Sequence, residues 1–158
     1  MLTDDMQRII TEQRLGFVAT IAADGSPAVS PKATFAIIDD ATIGFADIRP
    51  PGTLRNLAAN PNVEVNFVDP FMRRGYRFKG TARVVDREAA EFKRLLPHFK
   101  AYESLTARMR AIVLITVTRA LPVLSPAYDD GATEAELRAQ WMARFRSLQP
   151  GSATKSGR

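Results

Sequence analysis

Three strand-like runs follow one another between Leu15 and Ile48, with no room for a helix between them. Leu15 to Ala22 reads LGFVATIA, Ala28 to Ile38 returns after the Asp24-Gly25 pair, and Thr42 to Ile48 follows a reversal at Asp39-Asp40. Asp-Gly is the chemistry of a tight hairpin turn, and clustered aspartates mark reversals. Strands joined this closely pair antiparallel, because a parallel neighbour needs a crossover of roughly a dozen residues. The spacing predicts a three-strand antiparallel meander and argues against a βαβ unit.

The later segments extend this pattern. Val63, Val65 and Phe67 alternate with Glu64 and Asn66, and Tyr76, Phe78 and Gly80 alternate with Arg77, Lys79 and Thr81. Two such runs on either side of the Asp69 to Gly75 loop predict a hairpin with one wet face. AIVLITV, Ala111 to Val117, is the most β-branched run and predicts a fully buried strand. Helices are predicted at Thr3 to Gln13, after Thr53 as N-cap, at Glu88 to Leu96 up to Pro97, and after a Thr133/Glu136 capping box. The fold class expected is mainly β with added helices, a six-stranded antiparallel split β-barrel, which leaves fewer exposed edges than an open sheet. One domain over 1–149 and a disordered polar tail over 150–158 complete the expectation.

The chemistry available to such a barrel is limited. There is no cysteine and one histidine, His98, so disulfides, thiolate sites and a histidine-rich zinc site are set aside. Redox activity would have to come from a bound cofactor. A formal charge of +5 and a pI near 10 suit an anionic partner. The N-terminus MLTDDMQRII is acidic and amphipathic, unlike a secretory signal, and no apolar run reaches membrane-spanning length. A cytoplasmic location without a membrane partner is the expectation.

Between Ala28 and Asn60, Ser30, Lys32, Arg49, Thr53, Arg55 and Asn56 could hold a phosphorylated ligand. Lysine offers a point charge, arginine a planar fork, and a helix start its free N–H groups. A Thr-capped helix after Pro-Gly also needs no ligand to explain it, and SPK is an ordinary strand tripeptide.

The run LGFVATIAADGSPAVSPKATFAIIDDATIGFADIRPPGTLRNLAANPNVEVNFVD, followed by RRGYRFKGTARVV, resembles the FMN-binding split-barrel family related to pyridoxamine 5'-phosphate oxidase. The resemblance implies a homodimer with FMN bound at the subunit interface. It implies that Ser30, Pro31 and Lys32 lie on a phosphate-binding strand, and that Ala46 and Asp47 run along the flavin. Arg49, Thr53, Arg55 and Asn56 then come from the phosphate loop, and Arg74, Gly75, Tyr76 and Arg77 could reach in from the partner subunit or form a solvated hairpin. Pro51, Gly52 and Thr53 stand where the vitamin oxidases carry Ser-Arg-Lys, and their C-terminal arginine-leucine-histidine signature is replaced by a helix around Trp141. The implied function is therefore an FMN-dependent oxidoreductase acting on an unidentified small molecule, and these departures argue against vitamin B6. The alternatives are a flavin-binding electron carrier or sensor, and a nucleic-acid-binding barrel, which the scattered aromatics disfavour.

Overall fold

The structure, a computed structural model, describes residues 1–49 and 52–151. Its elements run α1 (Asp4–Gln13), β1 (Gly16–Ile21), β2 (Pro27–Lys32), β3 (Phe35–Ile37), β4 (Thr42–Asp47), α2 (Gly52–Ala59), β5 (Asn62–Asp69) and β6 (Arg74–Asp86). They continue through α3 (Ala90–Leu95), a 3₁₀ segment (Leu96–Arg108), β7 (Ala111–Leu124), a short 3₁₀ turn (Pro126–Tyr128) and α4 (Glu134–Ser147). All strands among the described residues join one antiparallel sheet in the order β2-β1-β5-β6-β7-β4-β3.

The two edge strands of that sheet, β2 and β3, are separated in the chain only by Ala33 and Thr34. Such a link spans at most about 11 Å, so the sheet must curl until its edges meet. Seven strands therefore replace the six expected, because the run Ala28 to Ile38 divides where the chain steps from one edge to the other. Thr34 makes that step: its hydroxyl donates to Ala46 O at 2.6 Å, and Ala46 N donates to Thr34 O at 3.2 Å. The meander is corrected for the same reason. β4 pairs with β3 and β7 and never reaches the β1–β2 hairpin.

The barrel interior holds Val18, Phe35, Ile43, Phe45, Val65, Phe67, Phe78 and Ile115, closed at one end by Ile9 and Ile10 of α1. Phe35 packs edge-on to Phe67 with ring centroids 4.7 Å apart. A second apolar cluster lies outside the barrel, where Phe92, Leu95 and Phe99 cover Ala46, Ile112 and Leu114. β7 is thus buried on both faces from Ala111 to Ile115, which accounts for its unbroken apolar run. From Thr116 to Leu124 it continues exposed or half-buried, longer than expected and not fully buried.

The helix expected from Glu88 starts later, at Ala90, and passes into 3₁₀ geometry at Leu96, with Pro97 in the first turn and non-helical dihedrals at Phe99 and Tyr102. The Thr3 cap and the Thr133/Glu136 capping box form as expected. Of the tail, only Pro150 and Gly151 are among the described residues, and disorder over 152–158 lies outside them. No helix among the described residues is long and apolar enough to cross a membrane.

Candidate functional site

The seam of the barrel, where its two edges meet, carries the polar side chains. Ala28, Ser30 and Lys32 project from one face of β2, with Pro27, Val29 and Pro31 on the exposed opposite face. This follows from the two-residue period of a strand. Opposite them, β4 ends at Asp47, and the chain passes Arg49 before entering α2. Lys32 Nζ reaches Asp47 Oδ1 at 3.3 Å, an ion pair across the seam. Asn56 Nδ2 donates to Thr20 Oγ at 2.9 Å and ties α2 to β1.

Beside this ion pair lies a cavity of about 320 Å³ bounded by Thr20, Ala28, Val29, Ser30, Lys32, Arg49, Gly52, Thr53 and Asn56, with Asp47 behind Lys32 and outside the lining. Five of the residues named from sequence, Ser30, Lys32, Arg49, Thr53 and Asn56, therefore meet in one place. α2 already includes Gly52, so Thr53 sits in its first turn and not at its cap, a correction that leaves Gly52 and Thr53 at the positive end of the helix. Thr20 is a site residue the sequence reading missed. Only its register opposite Ala28 in the β1–β2 hairpin could have pointed to it.

The electrostatics are less generous than the residue list suggests. Lys32 shares its charge with Asp47, whose side chain is 1% exposed and whose Oδ2 is buried with no hydrogen-bond partner among the described residues. Arg49 is exposed at the rim and has no ion-pair partner among the described residues. Ala46 is buried beneath the 3₁₀ segment and does not line the cavity. Arg55 is exposed on α2 and lies outside the lining, as does Pro31 on the outward face of β2.

In the Arg74–Arg77 hairpin, the polar side chains of Arg74, Tyr76 and Arg77 are engaged within their own chain. Arg74 pairs with Asp5 at 2.8 Å and with Glu134, and Tyr76 donates to Asp5 Oδ2 at 2.6 Å. The Tyr76 hydrogen bond, then that from Arg8, holds the Asp5 carboxyl below its ordinary range, while Glu134 raises the Arg74 guanidinium. Arg77 lies 3.4 Å from Glu64 on the exposed face of the β5–β6 hairpin. At Gly75 a Cβ would fall 1.9 Å from Phe67 O, so strand packing alone requires glycine there. Trp141, on α4, stacks with Arg73 at 4.1 Å from the ring centroid.

Beside the cavity the outer face of β1 and β2 is apolar and open. Phe17, Ile21 and Val29 are 46%, 36% and 64% exposed, in register with Pro31, Pro27 and Ala19. A second cleft of about 490 Å³ runs from this face across β5 and β6, and shares Thr20 with the first.

A family model described as "Pyridoxamine 5'-phosphate oxidase" matches residues 2–124. No curated protein matches at a significant level. Among solved structures, HupZ of Group A Streptococcus is similar at 31% identity, covering 79% of this chain and 96% of that one, with a TM-score of 0.69. An FMN-binding protein from Syntrophomonas wolfei shares the fold at 15% identity, covering 78% and 87%, with a TM-score of 0.65. A structure titled "F420 Reductase" does so at 22% identity, covering 75% and 98%, with a TM-score of 0.56.

Proposed function

The chain belongs to the pyridoxamine 5'-phosphate oxidase family, and from that premise we propose that it is an FMN-dependent oxidoreductase acting on a small molecule. The observation that carries this reading is the meeting of Ser30, Lys32, Arg49, Thr53 and Asn56 in one cavity at a helix start. Hydroxyl, ammonium, guanidinium, amide and backbone N–H groups are the donors a phosphate takes. The cavity, at about 320 Å³, lies at the low end for ligand sites, so it fits the phosphate end of FMN and leaves the ring to the adjoining surface. When bound, FMN would supply hydride or electron transfer. In this reading Lys32 and Arg49 bind and orient the phosphate, Ser30 and Thr53 donate to its oxygens, and the Asn56–Thr20 bond holds α2 in place.

A second copy of the chain is the occupant proposed for the open β1–β2 face. β2 directs Ser30 and Lys32 into the cavity and Pro31 onto that face, while exposed Val29 edges both, so a partner seated there adjoins the ligand. The partner would exclude water from the ring. Arg74 and Arg77 are paired with carboxylates of their own chain, which leaves an anionic substrate fewer cations and favours as second reading a flavin-binding carrier or sensor. A single domain over 1–149 and a cytoplasmic location belong to the proposal, and limited proteolysis and cell fractionation check them.

The visible spectrum of protein purified without added cofactor tests the proposal. A flavin absorption band released as FMN supports it, and a colourless protein that binds no added FMN overturns it. Bleaching by reduced nicotinamide in repeated turnovers separates enzyme from carrier. Lys32→Ala and Arg49→Ala should each weaken FMN by about tenfold or more, and Arg55→Ala less, since Arg55 stands outside the cavity.

A further inference from the structure

Lys32 is the group in the cavity whose charge is already balanced. Its side chain is 14% exposed, its ammonium stands 3.3 Å from Asp47 Oδ1 and 5.8 Å from the centre of the Phe45 ring, and Asp47 is 1% exposed. Asp47 has no other ion-pair partner among the described residues, and its second oxygen is buried without a hydrogen bond. A carboxylate this enclosed depends on that ammonium, because an unpaired buried charge is costly. An anion entering the cavity competes with Asp47 for Lys32. It also meets the field of Asp47, whose carboxylate lies buried 3.3 Å behind the ammonium and is little screened there.

We propose that Asp47 sets how much negative charge the cavity accepts, holding the Lys32 ammonium in the seam and opposing the second charge of a phosphate monoester. Asp47 is thus a positioning and specificity-determining residue that acts through Lys32. Lys32 and Arg49 line the cavity, and Asp47 stands behind Lys32 outside the lining, so Asp47 offsets one of the two positive charges an anion meets there. The ion pair also explains why a buried acid stands at the end of β4, a strand that buries Ile43, Gly44, Phe45 and Ala46 before it. A purely structural Asp47 would close the seam and leave ligand charge unread.

The inference rests on the phosphate reading of the cavity, and calorimetry with three ligands separates the two. FMN, riboflavin and inorganic phosphate are titrated into the unaltered protein and into Asp47→Asn, which keeps the side-chain volume and removes the charge. Asp47→Asn should bind FMN and inorganic phosphate about tenfold tighter, with riboflavin unchanged. In Lys32→Met/Asp47→Asn that gain should shrink by most of its size, since it works through the freed ammonium. Unchanged or weaker phosphate binding in a folded Asp47→Asn overturns the inference.

Circular dichroism checks the fold, and a measurement on the unaltered protein covers the case of a variant that does not fold. The methyl ester of the FMN phosphate carries one charge fewer, and its affinity should fall less than about threefold below that of FMN. A fall of tenfold or more overturns the inference. If the unaltered protein binds phosphate and no flavin, the FMN reading fails while charge control is still read on phosphate. If it binds neither, the phosphate reading fails and the inference falls with it.

Discussion

The barrel has two walls that the same kind of sequence builds and different partners cover. On the β4–β7 wall, both faces are buried: Ile43, Phe45, Val113 and Ile115 point inward, while Ala46, Ile112 and Leu114 meet Phe92, Leu95 and Phe99 on the outside. On the β1–β2 wall, Val18 and Thr20 point inward but Phe17, Ile21 and Val29 are open. The difference shows that, among the described residues, the chain spends 90–108 on covering one wall and nothing comparable on the other. An apolar face of this kind beside a cavity marks a contact surface, and a second copy is the occupant proposed here.

The comparison breaks most readily at Phe99, 1% exposed and central to the outer cluster. Phe99→Ala should cost about 3–5 kcal/mol in urea unfolding, whereas Phe17→Ala at dilute, monomeric concentration should cost under about 1 kcal/mol. Equal losses would mean that the walls do not differ. The next largest effect is on assembly. Phe17→Lys with Val29→Lys should convert the proposed dimer to a folded monomer in sedimentation and lower the affinity for the proposed FMN, and a dimer that survives both charges would remove the second copy from that face.

How much of this contrast was legible in the sequence depends on how local each contact is. The β5–β6 hairpin and the start of β7 were readable, because alternation and an unbroken β-branched run report directly on how many faces are buried. The split of β2 from β3 was not, since Ala33-Thr34 carries no turn chemistry and the break is imposed by closure of the sheet. At the site, the residue types suited to phosphate were visible at Ser30, Lys32 and Thr53. The Lys32–Asp47 pair spans 15 positions and the Arg74–Asp5 pair 69, and such partners are chosen by the tertiary fold. Sequence therefore marked the donors and missed which of them were already engaged.

A smaller test sharpens the contrast within single strands. A Cβ on Gly44 would stand 3.0 Å from Ile38 Cδ1 and 3.1 Å from the Phe99 ring, so the outer cover of β4 would have to shift by a few tenths of an ångström to admit it. Gly44→Ala should cost about 1 kcal/mol in urea unfolding, whereas Ala19→Val on the open wall should be close to neutral in the monomer. A neutral Gly44→Ala would show that the helical cover gives way easily.

The smallest expected effect concerns a cover that is polar. α1 and α4 are joined across β6 by Asp5, Tyr76, Arg74 and Glu134, with part of the network open to solvent. The Tyr76 hydrogen bond depresses the folded pKa of Asp5, so its contribution is fully present above the unfolded value near pH 4 and is lost as pH falls through the lower folded value. Asp5→Asn should therefore flatten the acid end of a stability-versus-pH curve and leave neutral stability only slightly lower, as solvent screening requires. Phe99→Ala should shift the whole curve down without changing its shape, since apolar packing carries no proton. If both variants shift the curve in parallel, the α1–α4 link is held by packing and not by charge, and the polar cover joins the apolar one.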